Sequence, residues 1–159
     1  MASIDIKNIN VLTKRLNNIA NTKKVKETMG KATLLVHAQA KALAPVGETG
    51  NLAGSIHLKV IENGSQISGK VFTNLNYAPY VEFGTGSKGN GTYPNKDLNL
   101  TYRSTPWVYT PDGGDNFYRT NGQVAQPFMY PAIKRNEKKI EKMFKEALHT
   151  DIKNNSKGG

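Results

Sequence analysis

Cysteine is absent from the 159 residues, which excludes a disulfide framework, a thiolate zinc site and a cysteine nucleophile together. Long apolar runs are missing too, and no stretch approaches the ~20 consecutive apolar residues that a membrane-spanning helix needs. The first twenty residues carry Asp5, Lys7, Lys14 and Arg15 with no apolar run of signal-peptide length, so secretion by that route is not expected. Histidine is scarce: His37, His57 and His149 stand far apart, without the Glu-x-x-His or His-x-His spacing of a zinc or iron site. No Gly-x-Ser-x-Gly elbow is present to expose a serine nucleophile. These absences argue against an enzyme, and no catalytic residue, cofactor or metal ligand is assigned.

What the chain does have is positive charge, +10 in all, and its placement is uneven. Residues 1–44 hold eight Lys or Arg against Asp5 and Glu27, a balance of +6; residues 45–124 hold six of each sign. Residues 125–159 hold eight against four, a balance of +4. The excess therefore lies in the terminal segments, where it reads either as a solvated lysine-rich helix surface or as a footprint for DNA or an acidic partner.

Periodicity places the elements. Val11, Leu12, Leu16 and Ile19 mark a short amphipathic helix from Asn8 to Ala20. After Asn21-Thr22, a helix-capping pair, Val25, Met29, Ala32, Val36, Ala40 and Leu43 form a second stripe that should finish near Leu43, because Pro45 disfavours helix at Ala44. Ile56, Leu58 and Val60, then Ile67, Gly69 and Val71, alternate on either side of Asn63-Gly64, a strong type I′ turn signal that predicts a hairpin with Glu62 opposite Ser65. Asn74 to Phe83 reads as a third strand entered through a bend at Pro79. Residues 84–99 read as a long glycine-rich loop. Trp107-Val108-Tyr109 and Phe117-Tyr118-Arg119 flank Pro111 to Asp115 as a looser hairpin spanning residues 105–120, its register open. Over residues 125–150 a last helix opens with Pro131 in its first turn and buries Ile133, Ile140, Phe144 and Ala147. Residues 151–159 read as a frayed tail. With no repeat and no second core visible, the expectation is one α+β domain, a small and mostly antiparallel sheet packed by a long N-terminal helix and a C-terminal helix.

Gly84-Thr85-Gly86-Ser87-Lys88-Gly89 matches the G-x-G-x-x-G pattern of dinucleotide sites by letter. The context fails: Asn90 to Pro94 does not open a helix, and no acidic residue sits about twenty positions on to hold a ribose. A mobile glycine loop is the better expectation. Asp112 and Asp115 flank two glycines without the other oxygen ligands of a calcium loop, so turn formation accounts for them. The Asn-x-Ser/Thr sequons at Asn63, Asn90 and Asn99 carry no meaning without secretion.

Three blocks in fixed order carry a resemblance. Ala44-Pro45-Val46-Gly47-Glu48-Thr49-Gly50-Asn51-Leu52 with Ser55-Ile56, Tyr77-Ala78-Pro79-Tyr80-Val81-Glu82-Phe83-Gly84-Thr85, and Gln126-Pro127-Phe128-Met129-Tyr130-Pro131-Ala132 together resemble the neck proteins of tailed bacteriophages. These are tail-completion or head-tail joining components, similar to a tenth gene product of a lambda-like siphophage. The match spans about residues 25–148. It departs at Glu48, where such proteins more often carry Asp, and in the extra N-terminal helix. The resemblance implies a structural virion component, made in the host bacterial cytoplasm and placed at the neck, that forms a homo-oligomeric ring, a hexamer, around the DNA channel. It also implies a head connector or head-closure protein on one face and tail terminator or tail tube proteins on the other, with no membrane involved.

Aromatic enrichment at interfaces makes Tyr77, Tyr80, Glu82, Phe83, Trp107, Tyr109, Phe117 and Tyr118 candidates for subunit or partner contact. Lys134, Lys138, Lys139 and Lys142 are candidates for the DNA-facing lumen or an acidic neighbour, contacts of the non-specific kind. The alternatives are a tail terminator, a minor capsid component, or a basic nucleic-acid-binding protein, the last without a recognised binding motif.

Overall fold

A computed structural model describes residues 22–47, 50–64, 66–110 and 113–156. The helix expected from Asn8 to Ala20 lies outside the described residues, as does Ser65, the expected partner of Glu62. The elements run α1 (Lys23–Leu43), α2 (Asn51–Gly54), β1 (Ile56–Asn63), β2 (Gln66–Thr73), α3 (Ala78–Phe83), α4 (Gly86–Gly89), β3 (Trp107–Tyr109), β4 (Tyr118–Thr120) and α5 (Met129–Ser156). The class is α+β, with long helices towards both ends. The strands are shared between two separate two-stranded sheets, β1–β2 and β3–β4.

Local chemistry explains each element. Thr22 caps α1: its hydroxyl accepts from the Val25 amide at 3.4 Å, and its carbonyl accepts the first helical bond, from Lys26. Val25, Ala32 and Ala40 are buried along the expected stripe, joined by Thr28 and Thr33. The first hairpin keeps Asn63 and Gln66 in its strands, leaving Gly64 and Ser65 between them, and Gly64 takes φ +57°. In the second hairpin Trp107 faces Thr120, Val108 faces Arg119 and Tyr109 faces Tyr118.

Where a third strand is expected, the chain is helical from Ala78. The aromatic and β-branched residues suggest a strand, but Pro79 sits in a helical first turn and Gly84, at φ +76°, ends the segment. Helical spacing then buries Ala78 and Glu82 together, one turn apart.

Helix α5 starts at Met129 with Pro131 in its first turn, as expected. Its buried stripe is Ala132, Asn136, Ala147 and Asp151, whose successive members lie four, eleven and four residues apart, close to whole helical turns. Ile133, expected inside, is 54% exposed. Ala147 is buried as expected and Ile140 and Phe144 are half-buried, so the stripe departs from expectation at its start, where Ala132 is buried in place of Ile133. The helix also runs past Asp151 to Ser156, where fraying is expected.

The chain divides into two compact units. One comprises Met1–Val36, Leu58–Val71 and Asn136–Gly159. There the Thr22 hydroxyl donates to the Asp151 carboxylate, which ties down the helix end. Gly69 lies over Thr33, whose hydroxyl bonds back to the Met29 carbonyl at 2.7 Å. A side chain at Gly69 would meet that hydroxyl at 1.9 Å, so the gap in the strand's apolar alternation is a packing requirement. The Lys26–Glu62 ion pair is half exposed and contributes little.

The other unit comprises His37–His57 and Phe72–Arg135. Its core is built on Ile56 and Phe128, the largest fully buried side chains, with Ala40, Ala44, Leu52, Ala78, Tyr93 and Ala132. His37 donates its Nε2 proton to the Ile56 carbonyl at 2.9 Å, and the His57 ring lies 5.9 Å from that of Phe72. Both histidines therefore have packing roles.

Replacing Ile56 by Ala removes most of a buried side chain and is expected to cost about 3 kcal/mol in urea unfolding. Ile133→Ala should change stability by no more than about 0.5 kcal/mol. Equal losses at the two sites would contradict the phase assigned to α5.

Candidate interface site

The third block, Gln126 to Ala132, offers no Ser, Thr, Asp or Asn to cap the helix that it opens. Its prolines, Pro127 and Pro131, have no backbone N–H, which leaves three consecutive donors, at Phe128, Met129 and Tyr130. All three converge on one carboxylate. Glu82 Oε2 accepts from the Phe128 amide at 2.7 Å and the Met129 amide at 2.9 Å, and Oε1 accepts from the Tyr130 amide at 3.0 Å. The Tyr93 hydroxyl donates to Oε1 at 3.3 Å. Burial first, and then the Glu82 charge, push the Tyr93 hydroxyl above its ordinary range, so it stays protonated as a donor. A carboxylate at a helix N-terminus is also favoured by the helix dipole. Glu82 is only 5% exposed, so this candidate contact residue is turned inwards as the cap of α5.

The glycine pattern has a different use from either cofactor binding or mobility. Thr85 and Gln123 pair as an antiparallel bridge, each amide donating to the other's carbonyl. Gly86 (φ +63°) and Gly122 (φ +96°) bring the two backbones into direct contact. A β-carbon on Gly86 would stand 2.2 Å from the Asn121 carbonyl oxygen and 2.8 Å from the Trp107 ring; one on Gly122 would stand 1.8 Å from the Thr85 carbonyl oxygen. After α4, Thr92 accepts from the Ala125 amide at 2.9 Å, and the Tyr102 hydroxyl donates to the Phe83 carbonyl at 2.9 Å. Residues expected to form an open loop are thus pinned to the strand-like segment that leads to α5.

The three blocks meet around a cavity of about 150 Å³. Pro45, Gly47, Asn51 and Leu52 come from the first, Tyr77 and Val81 from the second, and Gln126 from the third with Gln123 just before it. Among the described residues no Asp, Glu, Lys, Arg or His side chain lines it. Among the described residues no group of three or more His, Asp or Glu side chains is placed to hold a metal ion.

The other candidates separate by exposure. Tyr77, Tyr80, Tyr109, Phe117 and Tyr118 are exposed, Phe117 to 74%. Tyr109 and Tyr118 lie ring to ring at 6.0 Å. Phe83 packs edge-on to Tyr93 at 4.9 Å, and Trp107 sits under the Arg103 guanidinium; both are half-buried. On α5, Lys134, Lys138, Lys139 and Lys142 are all solvent-facing, Lys142 within 3.9 Å of Glu146. Among the described residues no helix is long and apolar enough to cross a membrane.

Comparison with known proteins adds one finding. The model of the HK97-gp10-like family, described as "Bacteriophage HK97-gp10, putative tail-component", matches residues 6–84. That span takes in the first block and the second as far as Gly84, Glu82 included, and stops short of the amides that Glu82 caps. No curated protein and no solved structure matches the chain.

Because Gly122 has no room for a β-carbon and a positive φ, Gly122→Ala is expected to lower stability by about 3 kcal/mol or more. Gly91 also has a positive φ, +74°, but faces open space. Gly91→Ala should therefore cost only about 1 kcal/mol. Thermal unfolding of the pair measures the difference, and equal shifts would contradict the close backbone contact.

Proposed function

Because the chain belongs to this family of bacteriophage tail components, we propose that it is a structural subunit at the head-tail interface of the particle, closing with its own copies into a sixfold ring around the DNA channel. The observation that carries the reading is the aromatic surface of the β3–β4 hairpin. Val108, Tyr109, Phe117 and Tyr118 are all exposed there, on a hairpin whose register is fixed. Apolar patches of this kind mark interaction sites.

Tyr77, Tyr80, Val46 and Val124 expose further apolar surface around the cavity. Ring closure by a heterologous contact needs two unlike surfaces on each subunit, and this pair supplies them. A head-closure or connector protein on one ring face and tail terminator or tube proteins on the other complete the proposal. The lysines of α5 fit a lumen wall. Solvated ammonium groups interact with phosphate weakly and through screened charge, which lets DNA pass without being held. The reading asks for no bond-making chemistry from the chain.

Deleting the gene from its phage and imaging the lysate tests this. Filled heads lying beside finished, unjoined tails are the expected outcome. Tails of uncontrolled length would move the protein to the tail-terminator layer, and normal virions would remove it from the neck altogether.

A further inference from the structure

We propose that the contact between neighbouring copies is a knob in a hole: Phe117 of one subunit enters the cavity between Leu52, Tyr77 and Val81 of the next. The inference rests on the ring reading above and names its interface.

The hole comes first. Its volume is about 150 Å³, and a cavity of roughly that size lined by apolar side chains accepts a benzene ring. Leu52 is buried at its floor, and Pro45, Tyr77 and Val81 make walls. Among the described residues the polar side chains at its lining are the amides of Asn51, Gln123 and Gln126 and the hydroxyl of Tyr77, with no carboxylate, ammonium or guanidinium group. Among the described residues the lining offers an ammonium or carboxylate occupant no opposite charge to offset its lost hydration. It suits a hydrocarbon ring.

The knob follows by elimination among the exposed aromatic rings. Tyr77 lines the cavity itself. Tyr109 and Tyr118 face each other across the hairpin, and Phe72 lies against His57. Tyr80 lies on α3, beside the Val81 wall, and carries a hydroxyl. Phe117 remains: a pure hydrocarbon ring, 74% exposed, directly before β4. Among the described residues no aromatic ring pairs with it.

The second copy is favoured over a foreign partner because both halves of the contact are present on one chain and are preformed. The β3–β4 pairing holds the knob. The hole's walls are held by the Gln126 amide, which donates to the Val81 carbonyl at 2.8 Å, and by the Gln123 side chain, which donates to the Tyr80 carbonyl at 2.9 Å. Neither side has to be ordered on binding, which removes a main cost of association. Knob and hole are different surfaces, so each contact leaves one of each free for the next subunit, and the series closes into a ring.

The absence of cysteine makes the test direct. Asn116 flanks the knob and Asn51 the mouth of the hole, and both are exposed. The full chain carrying N116C and N51C together is expected, on mild oxidation, to give a ladder of disulfide-linked species ending at the ring. An equimolar mixture of the two single variants should give dimers that neither gives alone. Adding Phe117→Ala should leave the unfolding midpoint unchanged at concentrations where both chains are monomeric, since the ring is exposed. It should abolish the ladder and weaken self-association, read by sedimentation, by about tenfold or more. Rings that form equally well with Phe117→Ala, or that never cross-link between residues 116 and 51, would overturn this interface and leave the ring reading intact. A wild-type chain that stays monomeric at every concentration, alone and on tails, would overturn both.

Discussion

One buried carboxylate determines how the aromatic half of this protein is put together. Glu82 ends a six-residue helix and accepts the only three amides that a proline-bracketed helix start can offer. An unpaired buried carboxylate would be costly, and so would three unpaired buried amides. Each therefore requires the other. The result fixes the position of α3 against the first turn of α5, and Phe128 beside it fills the core. The glycine contact works from the same centre: α3 ends at Gly84, and Gly86 and Gly122 then let the next backbone lie flat against the segment that returns to α5.

A scaffold tied this closely can hold apolar surface in water without collapsing it. The cavity walls come from the three sequence blocks, so the features that give the chain its family likeness also shape this concave surface. The β3–β4 hairpin presents aromatic side chains from strands of three residues each. In the ring proposed above, preformed and unlike surfaces would give specificity at little entropic cost. The charge lies elsewhere: residues 45–124 are neutral in sum, and the solvent-facing lysines of α5 are left to act through long-range, screened interactions.

Much of this was legible from residues alone, wherever the signal is local. The α1 stripe from Val25 to Ala40, the hairpin around Gly64 and the start of α5 at Pro131 all follow from periodicity and turn chemistry. What was hidden depends on partners distant in sequence. Glu82 reads as an exposed acid among aromatic rings until its amides, 46 to 48 residues away, are seen. A signal did exist, since Gln126 to Tyr130 opens a long helix with no capping side chain of its own, so an acceptor had to come from elsewhere. The segment from Ala78 to Phe83 misled because tyrosine, valine and phenylalanine favour strands, whereas the Pro79 start and Gly84 end are helix punctuation. Gly86 looked like freedom and is in fact a close approach. The buried stripe of α5 begins at Ala132, which a search for large apolar residues passes over in favour of Ile133.

The central claim is that the Glu82 carboxylate holds the first turn of α5. Amide hydrogen exchange at Phe128, Met129 and Tyr130, compared between the wild-type chain and Glu82→Ala, tests it most directly. The account predicts that all three amides lose their protection together while global stability falls by about 2–3 kcal/mol. Unchanged exchange at these three positions in a folded Glu82→Ala variant would contradict it.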